Sequence, residues 1–449
     1  MSAHNDEKRE TGADEQEYGR SEKPRRSRRW AFLILALPIA LFAWSCVPKR
    51  PLPVTPTSEL AIGDAVIAVQ LGEAQSQSGL NAPIQNNLVA LVDAQGKQDI
   101  VRIDNQSEGR ILWSDRGISF GSTQWEYQTT ENGTSSQEIE DWRASEVQRY
   151  VLSDGRFIVV SYSMDLGYRV DTIELDGRIA SVSTPGTRGD IGQCGDRILS
   201  IVDTKQFPRV RTEAFEAYAA QSGGDGEQPE ELSVVIQLND RDGDTPRLLG
   251  VAPMIEGLVS GQREFACEGD VITMPSVRED EASASFSGTE NERRGLVLQR
   301  WDLSVGQRTM VPVVDEAGNP IGLDEGQGVS DYVAIRVGNE YRFVSWGGDA
   351  FAVDPASGQG RYLFSLDAPT YGPDGYLAMF QVSESGVYAL KDRRADRVVS
   401  LSYRPWEGGQ WRDIFTTGDL AWYLREGVVT GALDIQSFAL RPGWDGGAQ

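Results

Sequence analysis

Apolar and polar positions alternate along most of this chain. From about Glu59 onward, short runs of β-branched, aromatic and aliphatic residues alternate with polar residues at a period of two, and clusters of Gly, Asp, Asn and Ser separate the runs. This pattern predicts half-buried β-strands joined by tight turns. Helical spacing is scarce, and its best candidate is the short segment 212–221, TEAFEAYAAQ. We therefore expect an all-β domain.

One turn unit recurs through the domain: an apolar run ends in Asp, a tight turn usually containing Gly follows, and another run begins. Asp suits such a turn because its carboxylate accepts hydrogen bonds from nearby backbone N–H groups, and Gly suits it because Gly accepts a positive φ. The Asp positions of the seven units are Asp93, Asp176, Asp240, Asp302, Asp354, Asp392 and Asp434. The last three spacings, 52, 38 and 42 residues, match one four-stranded propeller blade of about 40–50 residues.

The longer spacings contain polar insertions, which we expect to be mobile surface loops. They are 123–146, 221–231 and 279–295. The count of turn units predicts a single β-propeller of about seven four-stranded blades, although six or eight blades also fit. A pair of β-sandwich domains is the alternative, and it is disfavoured because no linker-like segment divides the region.

Two of the turn units carry a family resemblance. The segments 301–306, WDLSVG, and 353–358, VDPASG, resemble the outer hairpins of the quinoprotein-like and WD40-like β-propellers found in bacterial membrane-anchored proteins. The resemblance covers most of 60–440 and implies a propeller fold, but a fold does not fix a function. Quinone-dependent dehydrogenases built on propellers typically use a histidine base, and this chain has no histidine beyond His4.

An uncharged apolar stretch, 30–45, follows four arginines and precedes Lys49 and Arg50. Since the more positive flank stays in the cytoplasm, the large domain is predicted to lie outside the cell. The stretch fits an uncleaved signal anchor, a lipoprotein acylated at Cys46, or a signal peptide cleaved after Ser45. A buried soluble helix is disfavoured because the stretch is not amphipathic.

These observations divide the chain into five parts. They are a disordered cytoplasmic head (1–29), a transmembrane or signal segment (30–46), a Pro-rich spacer (47–58), the β-propeller (59–442) and a short tail (443–449).

The exported part is strongly acidic and contains two cysteines. Beyond Cys46 there are 35 basic and 60 acidic residues, and such a surface repels phosphate backbones, so nucleic acid is excluded as a partner. Cys194 and Cys267 each precede a Gly-Asp or Glu-Gly-Asp turn and an apolar run. We expect a Cys194–Cys267 disulfide, because disulfides persist outside the cytoplasm; two free buried thiols are the alternative.

The lack of histidine beyond His4 limits the catalytic mechanisms and metal sites that the domain can contain. It removes hydrolases with a histidine base and imidazole-bound metal sites, and no cofactor or metal is predicted. Carboxylate chemistry remains open. Trp113, Trp125 and Tyr127 lie near one insertion and are candidate ligand contacts, with packing between blades as the alternative.

The sequence therefore favours a membrane-tethered extracytoplasmic binding or scaffold module without catalysis. We expect it in the cell membrane, as a single-pass protein with a cytoplasmic N-terminus, and its expected partner is an envelope protein or glycan. The alternative is a carboxylate-dependent glycosidase acting on envelope glycans.

Overall fold

A computed structural model gives the structure of the protein over most of its length. The residues it describes are 55–73, 87–104, 109–140, 143, 145–223, 228–240, 246–260, 265–278, 294–323, 334–345, 347–366, 376–393, 396–424 and 433–446. The predicted head, the membrane or signal segment with Cys46, most of the spacer and most of the insertion 279–295 lie outside them. Within the described residues, no helix has the length and apolar character needed to cross a membrane.

The described residues form seven antiparallel sheets, which we name A to G in their order around the ring. Sheet A contains β1 (Ala65–Glu73), β2 (Asn87–Asp93), β3 (Gln98–Ile103) and β30 (Leu433–Leu440). Sheet B contains β4 (Leu112–Ser114), β5 (Gly117–Gly121), β6 (Trp125–Thr130) and β7 (Gly133–Glu138). Sheet C contains β8 (Ser145–Val151), β9 (Phe157–Ser163), β10 (Gly167–Ile173) and β11 (Ile179–Thr184).

The next two sheets carry the disulfide. Sheet D contains β12 (Asp190–Cys194), β13 (Arg197–Asp203), β14 (Leu232–Gln237) and β15 (Arg247–Pro253). Sheet E contains β16 (Leu258–Val259), β17 (Ala266–Glu268), β18 (Val271–Arg278), β19 (Arg294–Asp302), β20 (Gln307–Pro312) and β21 (Gly322–Leu323). In sheet E, β16 and β17 share the first position because both pair with β18.

The last two sheets complete the ring. Sheet F contains β22 (Ile335–Val337), β23 (Glu340–Val344), β24 (Asp349–Val353) and β25 (Gly360–Ser365). Sheet G contains β26 (Tyr376–Val382), β27 (Gly386–Arg393), β28 (Val398–Pro405) and β29 (Arg412–Thr417). Two helices, α1 (Arg211–Gln221) and α2 (Gly418–Ala421), and two 3-10 turns, Thr57–Glu59 and Pro208–Val210, complete the described elements. The helix expected over 212–221 is therefore present.

The sheets are the blades of a seven-bladed β-propeller, which confirms the predicted fold. The ring closes in sheet A, where β30 pairs with β1 and so joins the C-terminal part of the chain to the start of the domain. The first strands of neighbouring blades touch one another, as β26 and β30, β30 and β4, and β4 and β8 do. Closure of this kind gives β1 a partner from the same chain and leaves the short outer strands of the blades as the sheet edges.

Seven hydrophobic clusters fill the described core, and each lies between two neighbouring sheets. The largest, between sheets G and A, includes Val69, Leu71, Leu390 and Leu401. The smallest, between sheets B and C, has only three fully buried members, Phe157, Val159 and Ile173. The B–C interface must therefore be filled by something other than apolar side chains.

Five of the seven predicted Asp turns join the third and fourth strands of a blade. In the hairpin after β24, the backbone N–H of Ala356 and the hydroxyl of Ser357 donate to Asp354 and hold its pKa below the usual value. Gly358 closes the turn with φ of 74°. The other correct units are at Asp93, Asp176, Asp240 and Asp302. Asp392 stands near the end of β27 as expected, but β27 is the second strand of its blade. The assignment at Asp434 was wrong, since Asp434 is the second residue of β30 and does not end a strand.

The polar segment 123–146 is not the mobile surface loop that its composition suggested. It contains β6 and β7, two of the four strands of sheet B, and it ends at the buried Glu146. The strands form although β7, GTSSQE, has no buried residue, because β6 supplies the ladder against which β7 pairs. The polar composition of this segment therefore gives no indication that it forms two of the four strands of a blade.

The expected disulfide joins Cys194 and Cys267, whose Cα atoms are 5.3 Å apart. Cys194 ends β12 and Cys267 lies in β17, so the bond links the first strands of sheets D and E. The prediction from the similar sequence contexts is confirmed.

Candidate ligand-binding cleft

Two groups of charged side chains lie between blades, one sealed and one open. The sealed group fills the B–C interface. It consists of three arginines, Arg143, Arg149 and Arg169, and three carboxylates, Glu126, Glu146 and Asp171. We call it the B–C ion cluster.

A β-bulge in β8 makes the B–C ion cluster possible. Residues three apart on a regular strand point to opposite faces, but Glu146 and Arg149 share one face because the register shifts between Glu146 and Gln148. Arg149 can therefore donate from Nε to Glu146 Oε1 at 2.5 Å and from Nη2 to Glu146 Oε2 at 2.7 Å. It also donates to Glu126 on the facing strand β6.

Arg143 completes the sealed cluster from the connection before β8. Its Nη1 donates to Glu126 Oε2 at 2.9 Å, and its Nη2 donates to Asp171 Oδ2 at 2.8 Å. The second oxygen of Asp171 accepts from Arg169 Nε and Ser181 Oγ. Charges and hydrogen bonds are thus paired inside a closed interface, which gives the cluster a structural role and leaves no room for a ligand.

The open group lines a cleft of about 430 Å³ between sheets D and E, which we call the D–E cleft. It lies where β12 begins, β13 ends and β14 begins, at the opposite end of sheet D from the disulfide. The residues around it are mostly polar. They are Arg188, Gly189, Asp190, Ile201, Val202, Asp203, Gln206, Ser233, Met254, Ile255, Leu258, Ser260, Gln299 and Arg308.

Two aspartates of the cleft have different surroundings. Asp190, the first residue of β12, accepts a hydrogen bond from the hydroxyl of Ser260. Asp203 ends β13 and accepts a weaker bond, 3.4 Å long, from Ser233 Oγ. Burial, together with the nearby carboxylate of Glu231, raises the pKa of Asp203 above its ordinary value. Asp203 therefore takes up a proton more readily than a free aspartate does.

Arg308 reaches the same cleft from β20. Its guanidinium lies over the ring of Trp301, 5.3 Å from the ring centroid, and donates to the carbonyl oxygen of Pro253. Burial lowers the pKa of Arg308 to about 10, although Asp203 acts in the opposite direction. The cleft thus presents cationic and anionic groups side by side, which suits a polar ligand.

The described residues contain no group of three side chains that could hold a metal ion. The described lining of the cleft offers hydrogen-bonding groups, two arginines and two carboxylates.

The predicted aromatic contacts lie away from the D–E cleft, between sheets A and B. Trp113 and Tyr127 are buried there, and Trp125 packs on the edge of the same cluster and is partly exposed. Burial raises the pKa of Tyr127 to about 12. Trp113 also borders a smaller cleft of about 260 Å³ with Arg116, Glu131 and Arg441. A ligand contact at these aromatics remains a prediction.

Neither charged group was found from the sequence. The residues of the B–C ion cluster lie partly in the segment 123–146, and those of the D–E cleft are scattered from residue 188 to residue 308. The available signal was Arg143-Ala144-Ser145-Glu146 beside an alternating strand, where charges stand at positions that pairing buries. No local sequence pattern indicates the D–E cleft.

Comparisons with known proteins find distant structural likeness only. No family model matches the chain, and no curated protein matches it. Among solved structures, a Trp149Ala mutant of the Synechocystis apocarotenoid oxygenase is 10% identical, with 87% of this chain and 94% of that chain covered and a TM-score of 0.43. A Bacteroides fragilis protein described as a candidate 6-phosphogluconolactonase is 10% identical, with 85% and 99% covered and a TM-score of 0.40. Likeness at these values carries no argument about function.

Proposed function

We propose that this protein is a membrane-tethered extracytoplasmic module that binds an envelope protein or glycan at the D–E cleft, without catalysis. The observation that carries the proposal is the cleft itself, an open and mostly polar cavity that brings Arg188, Asp190, Asp203 and Arg308 together. Cavities of this size with a few convergent polar groups are the usual place for a ligand. A closed propeller supplies a rigid frame for such a site, because each blade is packed on both sides.

The test compares envelope binding by the wild-type chain and by a cleft variant. Full-length protein in detergent is used to capture partners from envelope fractions, and Asp190→Ala removes the carboxylate that accepts from Ser260. We expect capture to fall at least fivefold in Asp190→Ala. The matched control is Asp176→Ala, which changes an exposed turn aspartate in sheet C and should capture as wild type does. Equal capture by both variants would show that the cleft is not the binding site.

The tether is part of the proposal and rests on the sequence. The arginine-flanked stretch 30–46 supports an extracytoplasmic propeller, and Cys46 supports lipidation as one form of attachment. Metabolic labelling with a fatty acid, lost in Cys46→Ala, would identify a lipoprotein. Protease added to intact cells should digest the propeller turns, and full protection of the propeller would contradict the proposed topology.

A glycosidase is the second candidate, favoured by one observation. Asp190 and Asp203 line the same cleft, and burial raises the pKa of Asp203, as expected for the acid of a pair of catalytic carboxylates. If this candidate is correct, the wild-type chain releases reducing ends from envelope glycans, and Asp203→Asn loses that activity by 100-fold or more. Binding without any hydrolysis would exclude it.

A further inference from the structure

Arg308 is half-buried at the wall of the D–E cleft and has few partners among the described residues. A guanidinium carries five N–H donors and cannot give up its charge in a protein. Within the described part of the chain, the hydrogen-bond acceptor of Arg308 is the Pro253 carbonyl, and no carboxylate lies at ion-pair distance from it. Its other contact is the face of Trp301.

Two fully buried arginines of the propeller show which contacts Arg308 lacks. Arg143 and Arg149 each donate to two carboxylates through several N–H groups. Arg308 is partly buried at the wall of an open cleft, where burial disfavours its charge. An incoming anion would therefore gain a charge-assisted, forked pair of hydrogen bonds that the protein does not supply itself.

The rest of the cleft restricts the kind of anion. Asp190 and Asp203 also line it and would repel a phosphate dianion more strongly than a single carboxylate. The same two carboxylates accept hydrogen bonds from hydroxyl groups, as Asp190 does from Ser260 and Asp203 from Ser233. Met254, 43% exposed, offers apolar surface beside them.

We infer that the D–E cleft binds an acidic sugar, with Arg308 holding the sugar carboxylate and Asp190 and Asp203 accepting from its hydroxyls. This inference rests on the proposed function and names the ligand class for the same cleft. The sugar can be free or part of a glycan, since both present the same carboxylate and hydroxyl groups.

Calorimetric titration of the full-length protein in detergent, at pH 7 and fixed salt, tests the inference. The probes are glucuronate, glucose as the neutral match, and an oligosaccharide containing glucuronate to distinguish a free sugar from a glycan. We expect glucuronate to bind at least tenfold more tightly than glucose. Arg308→Met should remove this preference, and Arg308→Lys should weaken it because an ammonium cannot form the forked pair. Arg178→Met, in an exposed turn of sheet C, is the control and should leave the preference intact.

The outcomes separate the inference from the proposed function. Equal affinity for glucose and glucuronate, or a preference that survives in Arg308→Met, would overturn the inference. If envelope capture still depends on Asp190 in that case, the proposed function stands with another ligand class. If Arg308→Met does not fold, as judged by its thermal transition, Arg308→Lys decides, and an unchanged preference in that variant overturns the inference.

Discussion

Position 121 requires a residue without a side chain. Gly121 ends β5 beside the B–C ion cluster, and a Cβ there would lie 2.4 Å from Arg149 Nη2 and 2.8 Å from Arg143 Nη1. The two guanidinium groups cannot move aside easily, because carboxylates hold both of them. Gly121 is therefore part of the cluster although it contributes no charge.

We expect Gly121→Ala to lower the free energy of unfolding by about 1–3 kcal/mol, the usual cost of adding a methyl group to a filled interior. The measurement is urea unfolding followed by tryptophan fluorescence. Gly295→Ala is the matched control, since Gly295 is also in a strand but has open space where a Cβ would be. Equal stability of the two variants would contradict the tight packing of the cluster.

Single residues differ in how far the sequence alone could assign them. Asp93, Asp302 and Asp354 were recognised because their hydrogen bonds run to backbone groups two or more residues onward, so the chemistry is local. Arg308 could not be recognised. Its place in the D–E cleft depends on how sheets D and E pack, which no local pattern records.

At the scale of the element, the strand β8 shows why the B–C ion cluster escaped prediction. Period-two alternation places Glu146 and Arg149 on opposite faces, one buried and one exposed. The bulge places both in the interface, where they are fully buried. Composition does not indicate a one-residue change of register. The sequence therefore gives no sign that Glu146 and Arg149 form a buried ion pair.

The cluster predicts opposite pH responses for two of its carboxylates. Burial raises the pKa of Asp171, but Arg143, Ser181 and Arg169 outweigh it and hold the pKa below the ordinary value of 3.8. Burial raises the pKa of Glu146, and here it outweighs Arg149 and Arg143, so the pKa lies above 4.5. Asp171 therefore stabilises the fold above its unfolded pKa and loses that contribution as pH falls through its lowered value. Glu146 contributes most below its unfolded pKa and loses that contribution as pH rises through its raised value.

Urea unfolding of wild type, Asp171→Asn and Glu146→Gln between pH 7 and pH 3 tests these signs. The stability difference between wild type and Asp171→Asn should shrink below about pH 4, near the unfolded pKa of aspartate. The difference between wild type and Glu146→Gln should grow over the same interval. Two differences that change in parallel would contradict the assignment. Asp176→Asn, at an exposed turn, controls for the loss of one aspartate in a loop.

At the scale of the whole molecule, the number of blades was predicted correctly although two of the seven turn units were not outer hairpins. Asp392 lies in a second strand and Asp434 in a first strand, while the outer hairpins of sheets B and G, at 131–132 and 406–411, lack the Asp signal and were missed. The two Asp units outside the outer hairpins offset the two outer hairpins without Asp, so the count of turn units still equals the seven blades. The prediction of the fold class was robust because alternation and turn residues recur in every blade. The prediction of where each blade lies along the chain was not robust.

Two links hold the ring across long stretches of chain, and they stabilise it in different ways. The Cys194–Cys267 disulfide closes a loop with a sequence separation of 73 residues between two blades that also share an apolar cluster with Leu199, Met274 and Trp301. The strand β30 instead supplies the first strand of sheet A, and Ser437 in it accepts from the backbone N–H of Ile111 at the start of sheet B. Loss of β30 removes backbone pairing as well as packing.

We therefore expect a sharp contrast between two changes. Cys194→Ser with Cys267→Ser should remain folded and lose about 4 kcal/mol, the chain-entropy value for a loop of this length. Deletion of 433–449 should abolish the cooperative transition, because β1 becomes an unpaired edge and the cluster between sheets G and A loses Leu433 and Phe438. Urea unfolding and limited proteolysis measure both effects, with the wild-type chain under reducing conditions as the match for the double serine variant. A truncated chain as resistant to protease as that variant would mean that the propeller does not depend on closure through β30.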